Sequence, residues 1–352
     1  MTFSPFDHPF LAGLLGDEEM AGYFSADAEI RAMLAFEAAL AKAEAANGVI
    51  PDNAASQIAE VCAAFVPDME RLRIAVSHDG VVVPELVRQL RAAVGEPHSR
   101  HVHFGATSQD VIDTGLMLRL KRVLGILASR LGVVLRVFDD LQRRFGANVL
   151  LAHTRMQPAI EITAADRIRS WRLPVERTRQ HLQAWYTGGL SVQFGGAAGT
   201  LEKFDGKGDA IRTMLAAELG LADAPQWHSQ RDRVAELASI LSLVSGGLGK
   251  FGQDIALMAQ AGDEIELAGG GGSSAMPHKQ NPVAAETLVT LARFNATQVA
   301  GMHHALVHEQ ERSGAAWTLE WLILPQMVCA AASSLRLAVE LGGNIRRLGE
   351  AD

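Results

Sequence analysis

The chemically densest segment of this sequence lies between residues 269 and 282, where four consecutive glycines precede hydroxyl, ammonium and amide side chains. Glycine loses more backbone freedom on folding than any other residue, so four in a row predict a hinge. A hinge that leads into Ser273, Lys279 and Asn281 is typical of an active-site lid. The competing interpretation is a polar linker, but the Met-Pro-His-Lys run in this segment is not typical of a linker, whose function requires only flexible or extended residues.

The same segment predicts an anion site. Asn281 followed by Pro282 has the form of a helix N-cap followed by the first helical residue, and residues 283–299 are predicted to be helical. A helix N-terminus attracts a carboxylate or phosphate, and the ammonium group of Lys279 adds a full positive charge beside it. The residues therefore indicate anion binding with a hydroxyl group in reach.

Residues 104–114 form a second polar segment, in which Gly105 allows a turn before Thr107, Ser108 and Asp110. These side chains can cap a helix that begins near Asp110. An ordinary helix cap and a substrate-binding site are equal alternatives on these residues alone.

Residues 152–159 contain His153, Arg155 and Gln157. Arginine keeps its proton near neutral pH, so Arg155 cannot be a general base, but its guanidinium can bind a carboxylate through two parallel hydrogen bonds.

Two later charged segments have structural interpretations. The adjacent residues Arg231 and Asp232 are expected to form a structural ion pair. Residues 308–317 carry charges of both signs before a glycine, and a solvated loop is the default interpretation of such a stretch.

The elements that must position these groups are predicted to be long helices. Apolar residues between Leu116 and Leu141, and again between Val234 and Met258, recur every three or four positions, as in a coiled-coil seam. A shorter helix is predicted over residues 25–47. Four glycines within the second seam indicate close helix–helix approach, and they are Gly246, Gly247, Gly249 and Gly252. The sequence predicts an all-α long-helix bundle.

Composition limits the classes of function. The 352 residues carry a net charge of −8, so the surface as a whole does not attract nucleic acid. Cys62 and Cys329 are expected to be buried thiols, and no Cys/His spacing indicates zinc. The N-terminus lacks the apolar run of a signal peptide, and no apolar stretch has the ~18 residues of a membrane span. We expect a cytoplasmic protein.

Residues 272–281 meet every fixed position of the pattern Gly-Ser-Ser-x-Met-Pro-x-Lys-x-Asn. In this they resemble the signature loop of the fumarase/aspartase superfamily. The resemblance implies that Ser273 is the general base or acid at the carbon next to a carboxylate, and that Lys279 and Asn281 hold the carboxylate and an enolate-like intermediate. It adds two further substrate contacts from the loop, Ser274 and Met276.

The resemblance extends to the other segments. It implies that Thr107 and Ser108 hold a substrate carboxylate, and that Gln157 and Gln230 contact substrate. At residues 152–159 the sequence departs from the family form, because Arg155 replaces the family histidine and His153 the family arginine. His153 as the acid–base group and His153 as a structural residue are both open. The superfamily also implies a homotetramer built on its central helices, whereas the helical seam alone is also compatible with a single-chain bundle. Because the long helices begin near residue 105, we predict an N-terminal helical domain over residues 1–104 and a central long-helix bundle domain over residues 105–352.

Three segments resemble the 3-carboxy-cis,cis-muconate cycloisomerases within this superfamily: residues 6–10, residues 192–200, and the run from Glu311-Arg312 to Glu320-Trp321. Arg312 is then a clamp for a substrate carboxylate. This implies intramolecular lactone formation from a tricarboxylate, without metal or organic cofactor. The alternatives are a fumarate-releasing lyase of the adenylosuccinate lyase type and a non-catalytic helical scaffold. Many relatives continue into a further C-terminal helical domain, which this sequence is expected to lack for the most part.

Overall fold

The computed structural model describes residues 4–272, 275–276 and 280–350. Three of the predicted site residues, Ser273, Ser274 and Lys279, lie outside this part of the chain. Within it are twelve α-helices: α1 (Ala12–Leu15), α2 (Glu18–Gly22), α3 (Ala26–Ala46), α4 (Asp52–Ala64), α5 (Met69–Asp79), α6 (Val83–Val94), α7 (Ser108–Phe145), α8 (Ala164–Gly188), α9 (Gly208–Leu219), α10 (Asp232–Ala261), α11 (Val283–His304) and α12 (Gly314–Gly343).

The strands of the described residues form two short antiparallel pairs. One hairpin pairs β1 (Val149–Thr154) with β2 (Gln157–Thr163). The other pair joins β3 (Ile265–Leu267) to β4 (Ile345–Leu348). Because these strands only close the ends of long helices, the predicted all-α long-helix fold is confirmed.

The main core is formed by α7, α8, α10, α11 and α12, whose apolar faces pack into one cluster. The apolar residues that predicted the two seams, from Leu116 to Leu141 and from Val234 to Met258, are all buried. The predicted close approach holds for two glycines of α10. A Cβ added at Gly249 would lie 2.4 Å from the Ala292 side chain, and one at Gly252 would lie 2.6 Å from the Ala285 carbonyl oxygen. These two glycines let α10 and α11 pack closely.

A second core joins α3, α4, α6 and α9. Helix α3 begins after Ser25, whose side chain accepts a hydrogen bond from the Ala28 amide, so the predicted helix over residues 25–47 is confirmed. Because α9 packs on α3, this core includes residues from both predicted domains. The boundary between residues 104 and 105 stays a prediction.

The long helices place the polar segments at two ends of the molecule. Helix α7 has 38 residues, which gives a length of about 57 Å. Thr107 precedes its first residue, and the β1–β2 hairpin follows its last. We call these the cap end and the hairpin end. β3 and β4 also lie at the hairpin end, where the Leu151 amide donates to the Glu264 carboxylate over 2.6 Å and Val149 pairs with Glu350.

Three details differ from expectation or add to it. Helix α11 begins at Val283, with Pro282 rather than Asn281 in the N-cap position, because the Asn281 backbone forms a β-bridge with Gly271.

Helices α10 and α12 do have the length and hydropathy of a membrane span, which the sequence was not expected to contain. However, 61% and 72% of their apolar windows are buried within the protein, as in core helices. Cys62 and Cys329 are buried as expected, and burial raises the pKa of each thiol to about 12.

Candidate active site

The cap end is organised around the N-terminus of α7. Gly105, with φ of +67°, turns the chain so that Thr107 takes the N-cap position and Ser108 begins the helix. The Thr107 amide donates to the Asp110 carboxylate over 3.0 Å, which closes the first turn. A helix N-terminus of this kind favours an anion. The predicted cap is therefore present, and it leaves Thr107 and Ser108 half-buried at a positive helix end.

Asp110 fastens a loop to this helix end. Its carboxylate is fully buried and accepts hydrogen bonds from the amides of Gly195 (2.9 Å) and Gly196 (3.0 Å), and it contacts the His228 ring at 2.8 Å. Buried carboxylates need such donors because an unpaired buried charge is costly. Asp110 thus has a positioning role that extends beyond its own helix cap.

Arg231 lies at the centre of a buried ion network. It donates to Asp113 over 2.6 and 3.1 Å and to Glu320 over 2.9 and 2.5 Å. The Trp317 indole also donates to Asp113, and the guanidinium lies 4.7 Å from the Trp227 ring centroid. Burial alone would lower the pKa of Arg231, but the two carboxylates raise it, so the group stays charged.

This network corrects the expected pairing of Arg231 with Asp232. The two carboxylates that Arg231 contacts come from α7 and α12 instead, 118 and 89 residues away in sequence. Glu320 was visible in the sequence only as part of a Glu-Trp dipeptide, and Asp113 only as a residue one turn after Asp110. Sequence reasoning therefore missed both partners.

Arg312 reaches the cap end from the loop between α11 and α12. One guanidinium nitrogen donates to the Thr107 hydroxyl over 3.0 Å, and the other donates to the Ala197 carbonyl over 3.0 Å. Its Nε is buried and has no partner among the described residues. Within that part of the chain the guanidinium pairs with no carboxylate, so its positive charge is available to an anion at the α7 terminus. The structure thus brings two of the predicted site residues, Thr107 and Arg312, into contact.

Gln230 lies beside the same cluster in sequence. Its side chain is exposed and donates to the Gln226 carbonyl over 3.3 Å. Gln230, predicted to contact substrate, therefore precedes the buried Arg231 in sequence and is itself exposed to solvent.

The remaining predicted residues within the described part of the chain lie at the hairpin end. His153, Arg155 and Gln157 are exposed on the β1–β2 hairpin, and Arg155 and Met156 form its turn with φ of +48° and +68°. The His153 ring contacts the Leu151 carbonyl oxygen at 3.1 Å. Because α7 separates this hairpin from Thr107 by about 57 Å, one chain cannot bring the two sets together.

The start and end of the glycine loop also lie at the hairpin end. β3 leads into it, and the backbones of Gly271 and Asn281 exchange two hydrogen bonds of 2.9 Å. Met276 is exposed. Asn281 and Met276 therefore share an end of the molecule with Arg155 and not with Arg312. The described residues contain no cluster of three or more metal-ligating side chains.

Comparison with known proteins places this geometry in context. A family model described as "Lyase" matches residues 16–301. The 3-carboxy-cis,cis-muconate cycloisomerase of Pseudomonas aeruginosa is 40% identical over 344 residues, covering 96% of this chain and 74% of that protein. The cycloisomerase of the same name from Bradyrhizobium diazoefficiens is 38% identical over 342 residues, covering 95% and 76%.

A solved structure has the same architecture. The 3-carboxy-cis,cis-muconate lactonizing enzyme from Pseudomonas putida superposes with a TM-score of 0.89 at 34% sequence identity. The match covers 96% of this chain and 77% of that one.

Proposed function

The chain belongs to the lyase family of the fumarase/aspartase type, and from that premise we propose that it is a 3-carboxy-cis,cis-muconate cycloisomerase. The observation that carries this proposal is 40% identity to the Pseudomonas aeruginosa cycloisomerase over 344 residues. The substrate is a small tricarboxylate with two conjugated double bonds.

The proposed reaction is an intramolecular addition. One carboxylate oxygen adds to a double bond of the same molecule and forms a lactone. The electron pair moves to the carbon next to another carboxylate, which passes through an enolate-like state and then takes up a proton. Because nucleophile and acceptor are tethered, no second reactant has to be bound. No electrons enter or leave the substrate, so the reaction requires no redox cofactor.

Electrostatic stabilisation of the enolate-like state is the main task of the protein. At the cap end, Thr107, Ser108 and the α7 terminus would bind one carboxylate, with the Arg312 guanidinium beside them. The support is the 3.0 Å hydrogen bond from Arg312 to the Thr107 hydroxyl, together with a guanidinium whose other hydrogen bonds in the described residues go to backbone carbonyls and not to a carboxylate.

Ser273 would transfer the proton, while Lys279 and Asn281 stabilise the intermediate, and of these three the described residue Asn281 lies at the hairpin end. Arg155 would bind a further carboxylate through its two-pronged guanidinium, assisted by Gln157. These roles come from the match of the sequence to the superfamily pattern. For His153 both proposed roles remain, that of an acid–base group and that of a structural residue.

We further infer a cytoplasmic homotetramer in which each site combines the cap end of one subunit with the hairpin end of another. The distance of about 57 Å along α7 supports this, because the two residue sets cannot meet within one chain. Exposed apolar side chains on the central helices, Leu243 on α10 and Leu322 on α12, also support burial against further copies.

A spectrophotometric assay tests the function. Wild type is expected to remove the diene absorbance of 3-carboxy-cis,cis-muconate, whereas Ser273→Ala is expected to leave it intact. Both proteins should have the same unfolding midpoint, so that loss of activity is not loss of fold. Turnover of adenylosuccinate without turnover of the muconate would favour the fumarate-releasing lyase instead. No turnover of either substrate, with Ser273→Ala affecting nothing but stability, would favour the helical scaffold.

A further inference from the structure

His308 is a half-buried histidine whose two ring nitrogens are both buried without a hydrogen-bond partner in the described part of the chain. A neutral imidazole has one N–H donor and one acceptor nitrogen. Leaving either of them buried and unsatisfied costs about 1–3 kcal/mol. Unsatisfied groups of this kind are rare in folded proteins, and a functional role is one of the few explanations for keeping them.

The surroundings of His308 keep its ring uncharged. Burial, and then the nearby Arg231 guanidinium, lower its pKa, against the smaller opposing effects of the Asp113 and Glu309 carboxylates. At neutral pH the ring therefore offers a hydrogen-bond donor and a lone pair, but no net charge. A neutral donor can bind a carboxylate oxygen without adding a second charge beside Arg231.

The position of His308 connects it to the cap end. It lies four residues before Arg312, in the loop between α11 and α12. The end of that loop next to α12 is held in place: Arg312 donates to Thr107 and Ala197, and the Ser313 hydroxyl accepts from the Ala316 amide over 3.1 Å at the start of α12. The Nε of Arg312 is also buried and unpartnered among the described residues.

Five consecutive residues of this loop, 308–312, thus carry three buried polar atoms without a partner among the described residues: two on His308 and one on Arg312. They lie beside the N-terminus of the longest helix. Two of the three atoms are donors, the ring N–H of His308 and the Nε–H of Arg312, and a substrate carboxylate can accept a hydrogen bond from each of them.

We propose that His308 is a substrate-contacting residue, which binds through its neutral ring N–H a substrate carboxylate that Arg312 also contacts. The identity of that substrate rests on the proposed cycloisomerase function, but binding of a carboxylate at His308 does not. The role is distinct from proton transfer, which stays with Ser273.

Two variants separate this role from a structural one. His308→Leu removes both polar atoms, and we expect KM for the muconate to rise about 10- to 100-fold, as for loss of one hydrogen bond to a charged group. The unfolding midpoint without ligand should stay equal or rise, because the unsatisfied atoms are gone. His308→Gln keeps a donor and an acceptor and should recover much of the affinity. His304→Leu, at an exposed histidine of the same region, is the matched control and should change neither value.

A binding measurement keeps the test independent of turnover. Tricarballylate, a saturated tricarboxylate, should raise the unfolding midpoint of wild type and of His304→Leu but not of His308→Leu. If wild type is stabilised in this way yet does not convert the muconate, the proposed function fails and the role of His308 stands. An unchanged KM or an unchanged tricarballylate shift in His308→Leu would overturn the proposal, as would a lowered midpoint without ligand or a wild type that tricarballylate does not stabilise.

Discussion

The cap end and the hairpin end of the long helices differ in how their polar side chains are satisfied. At the cap end, Asp110, Asp113 and Arg231 are buried, and each has several hydrogen-bond partners from distant parts of the same chain. At the hairpin end, Arg155 and Gln157 are exposed on a two-stranded hairpin. Folding of one chain therefore satisfies the buried ion network of the first region, whereas the second region gains its partners, on our proposal, by assembly.

The sharpest test of this division is subunit complementation. Arg312→Ala disables the cap end and Asn281→Ala disables the hairpin end, so each variant alone is expected to be inactive. When the two are unfolded together and refolded at equal amounts, we expect activity to reappear at up to about one quarter of wild type, since random pairing gives that share of sites both intact halves. The measurement is loss of diene absorbance.

Refolding each variant by itself is the control and should yield no activity. A mixed sample that stays inactive, although size measurements show mixed oligomers, would mean that each site is built within one chain.

The next largest effect is expected on stability. Arg231→Met leaves the Asp113 and Glu320 carboxylates buried without their cation, which should lower the free energy of unfolding by about 3–5 kcal/mol. Arg155→Met makes the same change at an exposed position of the hairpin end and should alter it by less than about 0.5 kcal/mol. Urea denaturation measures both. Equal stability losses in the two variants would remove the distinction between the ends.

A milder change at the cap end probes geometry rather than charge. Arg312→Lys keeps the positive charge but loses the planar fork that reaches the Thr107 hydroxyl and the Ala197 carbonyl together. We expect kcat/KM to fall about 10-fold or more, with little change in the unfolding midpoint. Steady-state kinetics with the muconate would test this, and an unchanged kcat/KM would show that a point charge is sufficient.

The smallest effect concerns the pH dependence of stability at the cap end. His103, which precedes the Thr107 segment with φ of +60°, lies 2.6 Å from the Glu37 carboxylate. Burial alone would lower the pKa of His103, but the Glu37 carboxylate outweighs it and raises that pKa above its ordinary value. Stabilisation by the pair is therefore complete below the unfolded pKa of about 6.5 and is lost as the pH rises through the folded pKa.

We accordingly expect His103→Gln to lower the free energy of unfolding more at pH 6 than at pH 9, measured by urea denaturation at both values. Glu37→Gln should remove the same pH dependence. If His103→Gln costs the same at both pH values, the pair does not stabilise the cap end through its charge.

The elements of the fold follow from local patterns that the sequence displays directly. The seam from Val234 to Met258 predicts a buried helix face because period alone determines which side chains share a face. The Ser25 cap is likewise local, since its hydroxyl needs only an amide three residues away. Even the one-residue shift at Pro282 is local in origin, because the β-bridge of Asn281 with Gly271 replaces a side-chain cap.

The candidate site was less accessible to such reasoning. The resemblance to the superfamily and its cycloisomerases pointed to Thr107 and Arg312, which the structure then placed in contact. It could not identify the partners of Arg231, because Asp113 and Glu320 reach it only through the packing of three helices. His308 gave no sequence signal at all, since what distinguishes it is the lack of partners for its ring nitrogens within the described structure.

The close contact of α10 with α11 at Gly249 and Gly252 has a consequence for how this chain can diverge. Each glycine lies where a methyl group would collide with the neighbouring helix, so a larger residue at either position would push the two helices apart. If sites form between the cap end of one copy and the hairpin end of another, the length of the central helices determines the distance between these two ends within a subunit. That distance must match the position at which the two ends of different subunits meet. Inserting one turn into α10 would shift its ends by about 5.4 Å. Evolution is then free to vary the terminal loops, but it can lengthen the central helices only in concert.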